Sequence, residues 1–258
     1  MLGAIVGDIV GSPYEYNNLK RKDFEFFSPN GFVTDDSVLT LAVCHALCQQ
    51  STNLQKAAEK SLMEIAWRYA DKDYGEGFRR WMQQENPTPY NSFGNGAAMR
   101  VSPCSIAAKT LHETKAMSYA VTSVTHNHPE GLKGAEAAAV AGFLAKNGLT
   151  KKAIEQYINE HYYPMDFSLD NIRPQYQYEV SCQGTVPVAL KAFFESVSFE
   201  DAIRNAVSIG GDSDTIAAIT GGVAGIYYGI EDWIANRAEE YLDPYQRQLL
   251  KNFEKLFC

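Results

Sequence analysis

The chain has 258 residues, 45% of them hydrophobic, 12% aromatic and 21% charged, with 23 basic and 31 acidic side chains for a net charge of −8. At this length a folded chain buries roughly 70–75% of its unfolded surface, and the apolar and aromatic content excludes a disordered polypeptide. The acidic balance argues against a broad nucleic-acid surface or attachment to anionic lipid, while leaving room for a small anionic ligand in one locally favourable pocket.

Taken in chain order, the patterned segments have helical period. Gly7, Asp8, Gly11 and Glu15 open the chain, with Asp8, Gly11 and Glu15 at three- and four-residue steps on one helical face. Asp8 reads as a buried acceptor tying loops together; Glu15, near the helix end, is the less comfortable carboxylate because it opposes the helix dipole. An irregular stretch at 17–33 leads to Thr34-Asp35-Asp36-Ser37 and then to apolar positions from Val38 to Cys48 at helical spacing. Further helices are expected over 57–69, 97–108 and 135–145, then over 151–160 after Thr150 as N-cap, and over 186–194. The last are expected over 199–207 after Ser198, over 214–228 and over 244–256. Irregular connections fall at 85–94 and 164–183. Tyr176 to Val180 is the nearest approach to an alternating strand, and it is isolated. With no internal repeat, low-complexity tract or linker, the expectation is one all-α domain spanning 1–258, a compact orthogonal multi-helix bundle.

The five cysteines (Cys44, Cys48, Cys104, Cys182 and Cys258) are odd in number and form no CxxC pair, which favours free thiols in a reducing compartment. Cys44 and Cys48 read as core residues. The N-terminus has no basic region and its apolar stretch is broken by Asp8, so no signal peptide is expected. Thr215 to Ile230 is the longest uncharged stretch and falls short of the ~18–20 apolar residues of a membrane span. A cytoplasmic location without membrane partners is expected.

Three clusters stand out from an ordinary helical core. Thr34-Asp35-Asp36-Ser37 directly precedes a helix and by itself reads as an N-cap with acidic first-turn residues. Gly210-Gly211-Asp212-Ser213-Asp214-Thr215 opens a helix that is apolar throughout, where two carboxylates are difficult to bury and capping accommodates one. A hard divalent cation removes the difficulty, since Asp oxygens and Thr hydroxyls suit Mg²⁺ or Mn²⁺. If the two clusters face each other, Thr34, Asp35, Asp36, Asp212, Asp214 and Thr215 could hold a two-metal centre. The third cluster, Ser92-Phe93-Gly94-Asn95-Gly96, precedes Ala97 and Arg100; its glycines make either a tight turn or a set of backbone N–H groups facing one anion. No Gly-Lys-Ser/Thr follows, so it is not a nucleoside-triphosphate loop. His126-Asn127-His128-Pro129-Glu130 has no second His or Cys at zinc-like spacing, and His126 reads as a hydrogen-bonding or stacking residue rather than a ligand.

The order GDxxGxxxE, TDDS, GNGAAMR, THNH, GGDSDT resembles the ADP-ribosylglycohydrolase family over Gly7 to about Gly222. The resemblance implies an all-helical fold with two Mg²⁺ or Mn²⁺ ions at the bottom of a cleft, held by the six residues just named. It also implies a catalytic or metal-gating role for Glu15, with Asp35 and Asp36 taking part in catalysis. Ser92, Phe93, Gly94, Asn95, Gly96 and His126 would contact the ADP-ribose of the substrate. The implied reaction hydrolyses the bond between ADP-ribose and an acceptor on an ADP-ribosylated protein or other conjugate, releasing free ADP-ribose. Such a reaction passes through an oxocarbenium-like transition state, which fixed hydroxyls and surrounding carboxylates would stabilise. Ser92 stands where some arginine-directed members carry aspartate, which argues against arginine specificity and leaves serine-linked, nucleic-acid-linked and small-molecule conjugates open. Two other readings use the same residues: another binuclear-metal hydrolase such as a phosphoesterase, and a non-catalytic ADP-ribose-binding or structural member of the family.

Overall fold

The computed structural model describes residues 1–258 as fourteen α-helices in the order α1 (Leu2–Gly11), α2 (Asp35–Cys48), α3 (Leu54–Arg68), α4 (Glu76–Met82), α5 (Ser102–Ala107), α6 (Leu111–Thr122), α7 (Pro129–Lys146), α8 (Lys151–His161), α9 (Leu169–Ile172), α10 (Cys182–Phe194), α11 (Phe199–Ile209), α12 (Ser213–Tyr228), α13 (Asp232–Tyr241) and α14 (Pro244–Phe257). Short 3-10 turns lie at Ser12–Tyr14 and Asn95–Ala97. No sheet forms, and the only β-type pairing is an isolated bridge between Gly94 and Ser181. The all-α expectation therefore holds, and Tyr176 to Val180 is loop rather than strand.

At the centre α1 and α12 make the most extensive helix contact of the molecule. Their sequences explain why. Gly3, Gly7 and Gly11 repeat every four residues on α1 and meet Gly221, Ala217 and Asp214 of α12, so the helices run antiparallel with their backbones touching. A Cβ at Gly3 would stand 2.2 Å from the Gly221 carbonyl oxygen, and one at Gly7 2.0 Å from that of Ala217. Around this pair α7, α10 and α11 pack on α12, while α2 sits between α3 and α14. A continuous cluster of 73 buried hydrophobic residues fills the spaces between them. Cys44 lies inside that cluster, Cys48 at its edge, and all five cysteines are free thiols.

Caps set several boundaries. Thr150 Oγ1 accepts from Ala153 N at 3.3 Å and Ser198 Oγ from Asp201 N at 3.1 Å, as expected. The 57–69 segment begins earlier, at Leu54, because Asn53 Oδ1 accepts from Lys56 N at 3.0 Å. His128 proves to be a cap too: its Nδ1 accepts from Glu130 N at 3.1 Å, with Pro129 in the first helical turn of α7. Likewise α10 starts at Cys182 with Ser181 as its cap.

The helix expected over 97–108 is a correction. The chain makes the Asn95–Ala97 turn, then a further turn, and becomes α-helical only over Ser102–Ala107. Pro103 has no N–H to offer the Met99 carbonyl, which accepts instead from Thr40 Oγ1 at 3.3 Å. Helices α4, α6, α9 and α13 were not legible as apolar periods. In α13 only Ile234 and Ala238 are buried, too thin a stripe to register in sequence.

The glycine contact gives a direct test. In Gly7→Ala the new Cβ can be accommodated only if α1 and α12 separate, so a loss of about 2 kcal/mol or more is expected. Gly75→Ala, where a Cβ meets nothing within 4 Å, is expected to change stability by less than about 0.5 kcal/mol. Urea denaturation midpoints of the two variants against the parent check the contrast.

Candidate metal centre

Three helix ends converge on the floor of one cleft: the C-terminal part of α1 and the N-termini of α2 and α12. Asp8 on α1, fully buried, anchors the start of α2. It accepts from Thr34 N at 3.1 Å, Thr34 Oγ1 at 2.7 Å, Ser37 N at 3.1 Å and the Ser37 hydroxyl. This is the loop-tying role expected of it. Thr34 in turn caps α2, its Oγ1 accepting from Asp36 N at 3.1 Å. On the other side Gly210 and Gly211 turn the chain from α11 into α12 with φ of 72° and 74°, values that favour glycine. No side chain caps α12; Asp212 instead accepts from Asn95 Nδ2 at 2.6 Å. Neither acidic cluster thus uses a carboxylate as a helix cap.

The two clusters do face each other. One carboxylate oxygen from each of Asp8, Asp36 and Asp214 falls in a group within 4.8 Å, and a second such group joins Glu15, Asp212 and Asp214. Thr215 Oγ1 donates to Asp36 Oδ1 at 3.3 Å, bridging α12 to α2. Asp36 and Asp214 are 2% and 4% exposed, yet Asp36 Oδ2 and Asp214 Oδ1 have no hydrogen-bond partner. None of the ten ion pairs of the molecule involves any of these acids.

Electrostatics follow from that geometry. Burial, then the charges of Asp8 and Asp212, push the Asp35 carboxyl up to about 8. Burial and neighbouring aspartates hold Asp36 and Asp214 well above the carboxylate range, and burial raises Asp212 and Glu15. Buried like charges without a cation must take up protons or a positive ion. The donor set is all oxygen, with two oxygens unpartnered, and so suits hard divalent cations.

The cleft above this floor has a volume of about 880 Å³, and Glu15, Thr34, Asp35, Asp36, Asp212, Asp214 and Thr215 all line it. The opposite wall carries Ser92, Gly94, Asn95, Gly96 and His126. Phe93 does not line the cleft; its ring packs on His128 with centroids 5.2 Å apart. Several loop amides are already engaged: Gly94 N donates to Ser92 Oγ at 3.1 Å and Asn95 N to Val180 O at 2.7 Å. The Gly96 N–H donates to no protein atom. An α-helix N-terminus near Ala97, expected from sequence, is absent, so a single 3-10 turn faces the cleft there. At Gly94 and Gly96 a Cβ would meet no atom nearer than 3.3 Å, and Gly94 has φ of −64°, open to any residue. Neither glycine is demanded by packing within the chain. Both leave space beside the His126 ring, which is 5% exposed and has Tyr90 5.9 Å away.

Three further residues join the site without having been singled out in sequence. Tyr178 donates to Glu15 Oε1 at 2.9 Å, and its ring stacks with Tyr16 at 6.1 Å. Asn18 Nδ2 donates to Glu15 O at 2.8 Å and Gly211 O at 3.2 Å, while its Oδ1 accepts from Gly211 N, joining the Glu15 segment to the α11–α12 loop. Arg100 lies fully buried beneath the cleft. Its place in the GNGAAMR string was the only hint; Tyr178 and Asn18 sit in segments without periodicity.

Comparison with known proteins agrees with this architecture. The family model described as ADP-ribosylglycohydrolase matches residues 1–256. The chain is 30% identical to the ADP-ribosyl-[dinitrogen reductase] glycohydrolase of Rhodospirillum rubrum, over 90% of this chain and 85% of that protein. It is 25% identical to an ADP-ribosylarginine hydrolase of Pseudomonas putida, over 91% of this chain and 72% of that one. A solved structure described as an ADP-ribosylglycohydrolase-related protein complex superposes with a TM-score of 0.72 at 24% identity, covering 99% of this chain and 96% of that chain, and so shares the fold. With a matched model spanning all but the last two residues, the chain belongs to the ADP-ribosylglycohydrolase family of hydrolases.

Proposed function

We propose that the protein hydrolyses the glycosidic bond between ADP-ribose and an acceptor, releasing ADP-ribose and the free acceptor, with divalent cations held by Thr34, Asp35, Asp36, Asp212, Asp214 and Thr215. The observation that carries this reading is the pair of buried, unpartnered carboxylate oxygens, Asp36 Oδ2 and Asp214 Oδ1, contributed by two helix starts that share one cleft. When bound, Mg²⁺ or Mn²⁺ supplies a fixed positive charge that orients the ribose hydroxyls and acidifies the attacking water.

The chain's own residues do the rest. Glu15 Oε1 is held by Tyr178, leaving Oε2 to accept the proton of the water. A carboxylate oxygen of Glu15 within 4.8 Å of oxygens of Asp212 and Asp214 supports that role. Fixed carboxylates around the sugar stabilise the positive charge that grows on the ribose ring as the bond breaks. Asn95 ties the two sides together by donating to Asp212 from the loop that receives the diphosphate. Gly94 and Gly96 let the diphosphate approach the backbone, where the Gly96 N–H, without a protein partner, is free to donate to it. The carboxylates stand too close together for ordinary ionisation, so the metal-free site is a source of instability that the cations remove.

Turnover is tested with ADP-ribose linked through arginine, serine and a nucleobase, beside a generic phosphoester. Release of ADP-ribose from one of the conjugates is expected, with Asp36→Ala, Asp214→Ala and EDTA each abolishing it. Full activity in either variant would remove the metal-centre mechanism.

Stability gives a second test. The folded-state carboxyls are raised, Asp35 from 3.8 to about 8, so the native state holds more protons than the unfolded chain between those values. The stability of the metal-free protein should therefore fall as pH rises from 5 to 8. Added Mn²⁺ should raise the thermal midpoint more at pH 8 than at pH 5, because cation and protons compete for the same oxygens. Asp36→Asn should raise the metal-free midpoint at pH 8 and reduce the gain from Mn²⁺. Differential scanning calorimetry with and without EDTA reads all three.

Gly94→Val tests the diphosphate side. Its backbone angles suit valine, so the fold should survive, while ADP-ribose affinity should drop at least tenfold, about 1.4 kcal/mol. Mn²⁺ affinity should stay within twofold of the parent in the same calorimetric titrations.

A further inference from the structure

A short polar chain lies behind His126. Arg100 is fully buried and forms no ion pair; its Nη2 donates to Thr125 Oγ1 at 2.6 Å and to Val121 O at 3.3 Å, while Nε and Nη1 meet no partner. Thr125 Oγ1 thus receives a charge-assisted hydrogen bond and has one proton of its own to place. Two acceptors are in range: Thr122 O at 3.3 Å and His126 Nδ1 at 2.8 Å. The Thr122 carbonyl already takes the backbone N–H groups of Thr125 at 3.1 Å and His126 at 2.9 Å, which fill its two lone pairs. Nδ1 has no other partner and is the nearer of the two. The hydroxyl proton accordingly goes to Nδ1.

That choice decides the other end of the ring. With Nδ1 accepting, a neutral imidazole carries its proton on Nε2. Nε2 has no protein partner and looks out over the loop, 3.7 Å from where a Cβ would stand at Gly94 and 3.6 Å from one at Gly96. We propose that Thr125, held by Arg100, is a positioning residue that fixes His126 as the tautomer protonated on Nε2, a donor aimed at an acceptor oxygen of a ligand lying over Gly94-Asn95-Gly96. The ligand half of this inference rests on the reading of that loop as the ADP-ribose diphosphate site. Burial and the Arg100 charge hold the imidazole well below its usual range, so His126 donates as a neutral group at neutral pH. The neighbouring Tyr90 phenol, pushed up to about 12 by burial, is neutral as well. Arg100 therefore acts on the ligand through Thr125 and His126 and not as a direct counter-ion.

The test is long-range ¹H–¹⁵N NMR on the full-length, metal-loaded protein without ligand, with the His126 signals identified by their absence in His126→Gln. The expected wild-type pattern is a protonated Nε2 and an unprotonated Nδ1. In Thr125→Val, nearly isosteric but without the hydroxyl, the ring should lose that single pattern, and ADP-ribose affinity by calorimetry should fall at least fivefold. Thr125→Ser should restore both. A proton on Nδ1 in the wild type overturns the positioning role, whether or not Thr125→Val folds, as does a Thr125→Val protein with unchanged tautomer and affinity. Failure of the wild type to bind ADP-ribose would overturn the ligand half together with the loop reading it rests on, while the tautomer is still read independently.

Discussion

The backbone contact between α1 and α12 is the constraint on which the rest depends. Three glycines of α1 let the two helices touch along their length, and that contact fixes where the end of α1 stands relative to the start of α12. Asp8 is thereby carried to the floor of the cleft, where it takes hold of Thr34 and Ser37 and so sets the start of α2. The relative position of the two acidic helix starts follows from this glycine packing, in which Gly7 adjoins Asp8 and Gly11 lies against the Asp214 backbone. A larger side chain at these positions would act on the site through the helix axes.

The same arrangement concentrates negative charge where water is scarce. Ordinary capping would have used Asp212 on α12 and an aspartate on α2, yet the caps are a threonine on one helix and no side chain on the other. Carboxylate oxygens are left pointing at one another instead. Such a site is less stable than the capped alternative would be, and it persists because the helices around it are held by an extensive core.

Opposite the acids the cleft wall is built from neutral groups. An unengaged amide at Gly96 and the His126 imidazole stand there, while the Asn95 amide is spent on Asp212 and Thr185. The Arg100 charge lies buried beneath this wall and is connected to it by hydrogen bonds, while Lys72 and Arg79 line the cleft elsewhere.

Much of this was readable in the sequence because it is local. Helical period, caps such as Thr150 and Ser198, and the excess of acids at two helix starts are properties of short segments. The six oxygen-bearing residues, the glycine loop and His126 could be named from them, and they line one cleft. Motif order placed the chain in its family. What sequence did not reveal depends on which segments meet. Tyr178 reaches Glu15 across 163 positions and Asn18 reaches Gly211 across 193, from stretches with no period to flag them. Phe93 sits inside the motif but turns away to His128, because backbone direction at a turn is set by what the loop packs against. The break in the 97–108 helix follows from Pro103 only once Thr40 is there to take the Met99 carbonyl. The sequence by itself determined which residues carry charge and that capped, helical segments surround them; tertiary structure alone decided which of those charges are left without partners, because burial and hydrogen-bond competition depend on neighbours distant in the chain.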